Sequence, residues 1–125
     1  MANITTLPVL YHPLMGKPSI TRPFCAVCSR AYPLEQHHIV KRSAGKLYRD
    51  GREIKKPTVT LCGFGNNLQD ADGHEYCHGL AHHNRLHFRW ASEHPGSTLG
   101  HWEYLKTDEP TKYEKALDMD GWRSL

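Results

Sequence analysis

Apolar and polar residues alternate most clearly in two short stretches. Leu34 to Val40 ends on Ile39 and Val40, and Pro57-Thr-Val-Thr-Leu-Cys62 is β-branched and alternating. Both predict strands. Residues 41–56 between them are basic and contain glycine, and predict a loop. Gly63 to Tyr76 is polar, with Gly63, Gly65, Asn66, Asn67, Asp70, Asp72 and Gly73, and predicts another. From Cys77 to about Ser92 the spacing of Leu80, Phe88 and the histidines predicts a helix, ended by His94-Pro95-Gly96. Residues 99–106 predict a further strand, and Asp108-Glu109-Pro110 the opening of a short helix through Leu117. Phe24 to Arg30 predicts a tight knuckle turn. Residues 1–23, with Pro8, Pro13, Pro18 and Pro23, predict an extended arm.

The order strand, long loop, strand, helix gains meaning from its chemistry. The chain has four cysteines and ten histidines in 125 residues. Cys25 and Cys28 form C-x2-C, and Cys62 and Cys77 follow singly. Four thiolates can close a tetrahedral zinc site. The alternative is two disulfides, as in a small secreted domain. The N-terminus lacks a basic start and a long apolar run, so the expectation is a cytoplasmic protein with zinc. His78 and His82 are four residues apart and share one face of a helix. With His37-His38 upstream they suggest a second, exposed metal held by nitrogen. His12, His74, His94 and His101 read as background, and His83 and His87 lie off the shared face.

Composition adds limits. The apolar fraction is 38%, with eight prolines and ten glycines. That describes one loop-rich domain with a modest core, of the kind a metal often stabilises. No apolar run approaches the roughly 20 residues needed to cross a membrane. Net charge is only +3, but its distribution is uneven. Lys41, Arg42, Lys46, Arg49, Arg52, Lys55 and Lys56 face only Asp50 and Glu53 in residues 41–56. Such a loop suits a phosphate backbone, and equally a solvated hairpin.

Cys25-Ala-Val-Cys28, then Glu35-Gln-His37-His38-Ile39-Val40, then Leu61-Cys62, then Cys77-His78-x3-His82 resembles an HNH endonuclease, a ββα-metal or His-Me finger protein. The likeness is to the four-cysteine subtype, many of whose members are encoded by phages and prophages, and covers roughly residues 24–90. It implies an α+β fold: a ββα-metal finger on a structural zinc held by Cys25, Cys28, Cys62 and Cys77. On that reading residues 1–23 are an N-terminal arm, 24–92 the HNH-like domain, and 93–125 a C-terminal extension packed on it. The resemblance makes His38 the general base, and His37, His78 and His82 the ligands of a catalytic divalent ion. Imidazole has the pKa to deprotonate water near neutral pH. A cation at the scissile phosphate absorbs developing charge. Nitrogen ligands favour Zn2+ or Ni2+, whereas the family often works with Mg2+ or Mn2+.

Two departures accompany the likeness. The family's central Asn falls at Pro57, leaving its bracing role to Thr58, Asn66 or Asn67. The spacer between the last two cysteines is expanded to fourteen residues. Expected function is therefore metal-dependent hydrolysis of DNA phosphodiester bonds, by a monomer or homodimer with no membrane partner. Lys41, Arg42, Lys46, Arg49 and Arg52 would hold phosphates. Arg85 and Arg89, at i+3 and i+7 from His82 on the helix, would extend that surface. Contacts of this kind position a duplex without reading its bases. The rival expectation is an idle HNH-like module that binds nucleic acid or a host protein, such as a phage-borne inhibitor.

Overall fold

A computed structural model describes residues 14–40 and 45–125, with the side chain of Leu47 excepted. Strand β1 (Leu34–His38) pairs antiparallel with β4 (Thr58–Cys62), with Leu34 opposite Cys62 and His38 opposite Thr58. Side chains alternate between faces along a strand. One face of this pair therefore carries Glu35, His37, Val59 and Leu61, and the other Gln36, His38, Thr58 and Thr60. On β4 Val59, Leu61 and Cys62 are wholly buried, and Thr60 nearly so. That burial is why a five-residue β-branched stretch makes a stable strand.

The segment before the knuckle docks on the free edge of β4. Ile20 bridges Val59 in parallel, its amide donating to the Thr58 carbonyl (2.8 Å) and its carbonyl accepting from the Thr60 amide (3.0 Å). Part of the expected arm thus acts as a third strand position, and Leu14 joins the core.

The basic stretch 41–56 is not all loop. Strands β2 (Leu47–Arg49) and β3 (Arg52–Ile54) form a separate two-stranded ribbon. Its turn is Asp50-Gly51, both with positive φ (53° and 77°), which is the type I′ geometry that suits a hairpin's twist.

The predicted helix is the largest correction. Helix α1 covers Cys77–His82 alone, and Leu86–Ser92 is strand β5. The helix closes in a Schellman motif: the Asn84 amide donates to the Ala81 carbonyl (3.3 Å) and the Arg85 amide to the Leu80 carbonyl (2.9 Å). Asn84 takes the left-handed conformation this needs, φ 59°. Past it, Leu86, Phe88 and Trp90 alternate with His87 and Arg89 at the period of a strand, not of a helix. Leu86 and Phe88 are buried.

Strand β5 pairs with β6 (Gly100–Lys106), and β6 with β7 (Arg123–Ser124). This sheet draws on both sides of position 92, so the C-terminal segment shares a sheet with the element that follows α1. Helix α2 (Tyr113–Leu117) begins three residues after Pro110. The Thr111 amide is held by the Asn84 carbonyl (2.8 Å) and the Thr107 hydroxyl donates to the Glu109 carbonyl (2.7 Å), keeping that approach irregular.

The core joins these parts. Val40, Val59, Leu61, Leu80, Leu86, Phe88 and Trp102 form one buried cluster. The described residues are thus a mixed arrangement of three small sheets and two short helices. Among them no helix is long and apolar enough to cross a membrane.

Candidate metal centres and nucleic-acid interface

The four cysteines come together. The sulfurs of Cys25, Cys28, Cys62 and Cys77 all lie within 4.8 Å of one another. The knuckle is folded by the Ser29 amide on the Cys25 carbonyl (2.9 Å) and pinned to β4 by the Ala26 amide on the Thr60 carbonyl (2.9 Å). Cys62 ends β4, and Cys77 opens α1 with its amide 3.3 Å from the Cys62 sulfur. Thiolates about 2.3 Å from a tetrahedral zinc stand about 3.8 Å apart. Cys28 Sγ and Cys62 Sγ are 3.6 Å apart. Cys25, Cys62 and Cys77 are buried and Cys28 is exposed.

Their electrostatics point the same way. Hydrogen bonds from Cys62 and then Cys77 drive the Cys25 pKa strongly down. The bond to Cys25 pushes Cys62 up to about 12, and the bonds to Cys25 and Cys62 raise Cys77 further. Several thiolates this close together repel one another, and a cation among them relieves that repulsion. The donor set therefore fits a structural zinc, and none of the four is in a disulfide.

The fourteen-residue spacer folds back to allow this. Asp70 organises it, its Oδ1 accepting from the amides of Asp72 (2.9 Å) and His74 (3.0 Å). Its Oδ2 meets Arg30 Nη2 at 2.6 Å, which ties the spacer to the knuckle. The Arg30 guanidinium, with those amides, holds the Asp70 pKa down at about 2. The same guanidinium lies over the Tyr76 ring, 4.9 Å from its centroid.

A second cluster has nitrogen donors. Donor atoms of His37, His78 and His82 lie within 4.8 Å of one another. His37 comes from the inner face of β1, His78 and His82 from one face of α1. His78 Nε2 and His82 Nε2 are 3.1 Å apart. Nitrogens about 2.05 Å from one tetrahedral ion would be about 3.3 Å apart. Burial, then the neighbouring His78 and His82, pushes the His37 pKa down to about 3. Burial also lowers His82. Imidazoles kept neutral are in the state that binds metal. The set could hold a divalent ion.

Glu35 completes this cluster and was not singled out in the sequence. Its Oε1 lies 2.8 Å from His78 Nδ1 and accepts from the Gly65 amide at 2.6 Å. Burial raises its pKa, but the bonds to His78 and Gly65 outweigh it and leave the carboxyl below its ordinary value. A carboxylate on the far nitrogen of a histidine fixes which nitrogen faces a metal. The available signal was its place two residues before His37, on the same face of a strand.

His38 lies elsewhere. Strand alternation turns it to the outer face of β1, where it lines an open cleft with Ser19, Lys46, Glu53, Lys55, Lys56 and Thr58. Thr58 is its direct cross-strand neighbour, and accepts from Gln36 Nε2 at 3.1 Å. Asn66 instead meets a His83 ring nitrogen through its carbonyl (3.2 Å), and the Asn67 carbonyl lies against Gly79 of α1. Of the three candidates for the missing Asn, only Thr58 stands beside His38.

The basic residues separate into two groups. Lys46, Arg49 and Arg52 lie on or beside the ribbon and are exposed. Lys41 and Arg42 fall outside the described residues. Arg85 and Arg89 do not share a helix face with His82, because the helix ends first. Arg85 bonds Glu75 (3.2 Å) and the Thr107 carbonyl (3.1 Å). Arg89 pairs with Glu103 (2.8 Å) and lies over the Trp122 ring, 4.3 Å from its centroid. Both charges are already answered within the fold.

Comparison of the chain with protein-family models, with curated proteins and with solved structures finds no match.

Proposed function

We propose that the chain is a metal-dependent endonuclease of the HNH, ββα-metal type that hydrolyses DNA phosphodiester bonds. The supporting observation is the convergence of His37 from a strand with His78 and His82 from the following helix, beside a four-cysteine cluster. In this reading β1, β4 and α1 are the finger, and the three histidines are the ligands of the catalytic ion. A divalent ion held there supplies a Lewis acid at the scissile phosphate. Glu35 holds His78 in the tautomer that turns Nε2 toward His82. His38 takes a proton from the attacking water at a ring nitrogen, and Thr58 beside it stands in for the family's Asn. Lys46, Lys55 and Lys56, which share its cleft, hold the flanking backbone.

A second reading rests on the placement of His38. It occupies the face of β1 opposite the three-histidine cluster, which favours a catalytically idle module that binds nucleic acid through the same cleft. Plasmid nicking across Mg2+, Mn2+, Ni2+ and Zn2+ separates the two. A nuclease should nick with at least one ion, and His38→Ala should lower the rate by about 10²-fold or more with the structural zinc retained. Salt-dependent DNA binding without nicking under any ion selects the idle module. Undiminished nicking by His38→Ala removes that residue from the base role.

A further inference from the structure

The β2–β3 ribbon pairs with neither of the other sheets, and every residue from Tyr48 to Glu53 is exposed. Its two-residue turn at Asp50-Gly51, both with positive φ, sets the register and twist of the ribbon. At the tip Arg49 and Arg52 are direct cross-strand partners. Directly opposed residues project from the same face with their Cβ atoms about 5 Å apart, and like charges so placed destabilise a ribbon. Neither arginine has an ion pair among the described residues. Tyr48 and Glu53 are also partners, and by alternation they occupy the other face. Glu53 lines the cleft with Lys46 and Lys55. One face of the ribbon therefore looks into the cleft; the other is anchored at its base by Ile54 against Gly16 and leaves both arginines exposed at the tip.

We propose that this ribbon enters the major groove of duplex DNA and that Arg49 and Arg52 read guanine there. The inference rests on the reading that the chain acts on DNA, and adds base recognition to what phosphate contacts alone would give. Shape selects this occupant, with the charge supplied by Lys46 and Lys55 at the base, since Asp50 and Glu53 balance the two arginines within the ribbon itself. Two strands about 4.8 Å apart, with their side chains, suit a groove about 12 Å wide. Three residues at roughly 3.3 Å each reach about 10 Å, enough for a groove about 8.5 Å deep. The guanidinium fork matches the N7 and O6 acceptors of guanine, and a paired set at the tip offers two such forks. Lys46 and Lys55 at the ribbon's base are left to meet phosphates on the groove wall.

The test measures binding by fluorescence anisotropy, with no divalent ion added and the structural zinc retained. The probes are a mixed-sequence 30-base-pair duplex and its versions with every guanine replaced by 7-deazaguanine, or every adenine by 7-deazaadenine. The full chain should bind the 7-deazaguanine duplex about tenfold more weakly, and the 7-deazaadenine duplex like the parent. R49A/R52A, which removes both guanine-reading groups, should bind all three duplexes alike and more weakly than the unaltered chain binds the parent. Equal binding of parent and 7-deazaguanine duplexes by the unaltered chain overturns the proposal. So does discrimination surviving in R49A/R52A, or failure to bind any duplex. Plasmid nicking measured in parallel separates the two readings. Discrimination without cleavage leaves this inference standing and removes the nuclease. Cleavage without discrimination does the reverse.

Discussion

Gly79 offers the sharpest test of how the helix that carries Cys77, His78 and His82 is held. It is the third residue of α1, between His78 and Leu80. In an ordinary helix interior Gly→Ala stabilises by about 1 kcal/mol. Here the sign should reverse. A Cβ built on Gly79 falls inside the van der Waals radius of the Asn67 carbonyl oxygen, 2.6 Å from the Asn67 carbonyl carbon and 3.0 Å from Leu68 Cα. These are backbone atoms, so no side chain can swing aside. The Asn67 amide donates to Phe64 (3.1 Å) and the Leu68 carbonyl accepts from Tyr76 (2.8 Å), so retreat of the loop would break its own bonds. Overpacking costs about 1–3 kcal/mol, occasionally more, and a rigid neighbour on the far side favours the upper end. After subtracting the helix gain, Gly79→Ala should lose about 2 kcal/mol. That corresponds to a fall in Tm of roughly 8 °C for a domain this size. Thermal and urea unfolding of the zinc-loaded protein measures it, with metal content determined alongside, since Cys77 and His78 flank the site. Ala81→Gly, a helix position whose methyl packs on the core, should lose about 1–2 kcal/mol. A Gly79→Ala protein as stable as the parent, with full zinc, would refute the close-packing argument.

Three further outcomes follow from the same geometry. Cys62→Ser should leave the chain largely unfolded by circular dichroism and without bound zinc, because structural zinc contributes about 10–16 kcal/mol against a net stability of about 5–15; a folded, zinc-free variant would show that sulfur does not hold the fold. Glu35→Gln should weaken divalent-ion binding at the histidine cluster by about 10–100-fold in calorimetry, while the zinc at the cysteines stays; equal affinity would make Glu35 only a loop anchor for Gly65. His87 is buried on β5 and burial lowers its pKa, so between its unfolded value of about 6.5 and its lower folded value the unfolded chain binds more protons and stability drops as pH falls. His87→Gln should reduce the acid-side slope of urea-unfolding free energy by at most about 1.4 kcal/mol per pH unit; an unchanged slope would mean that His87 titrates alike in both states.

Legibility followed the range of the forces involved. Strands β1 and β4 were readable because their burial pattern is written in consecutive residues. Both donor clusters were readable because sulfur and imidazole are rare and chemically decisive. The helix was over-extended because histidines at helical spacing masked Asn84, whose left-handed conformation ends it, and masked the alternation of Leu86, Phe88 and Trp90. Arg85 and Arg89 were misplaced for that reason alone. Glu35 was passed over because its role depends on His78, forty-three residues away and brought near only by tertiary folding. The ribbon was legible only as the solvated-hairpin alternative for a charged stretch, with Asp50-Gly51 as its short-range sign.

Helix α1 has six residues, far below the length at which a helix persists alone. Its N-terminus has no side-chain cap. Three features hold it: Cys77 beside Cys62 at the start, the Schellman closure at Asn84 and Arg85, and the Gly79 contact with the spacer loop. His78 and His82 owe their shared direction to this scaffold. Their cluster also takes His37 and Glu35 from β1, and β1 is registered on β4, which ends at Cys62. The cysteines thus join the strand and the helix whose nitrogen donors converge, alongside the core contact of Leu61 and Leu80. We predict that the cysteine cluster is the prerequisite and the histidine cluster its dependant, so losing a sulfur should abolish both centres, whereas losing a histidine should abolish one. Departure from that asymmetry, with ion binding at the histidines surviving removal of Cys62, would mean that core contacts from Leu61 and Leu80 suffice to orient the helix without the zinc.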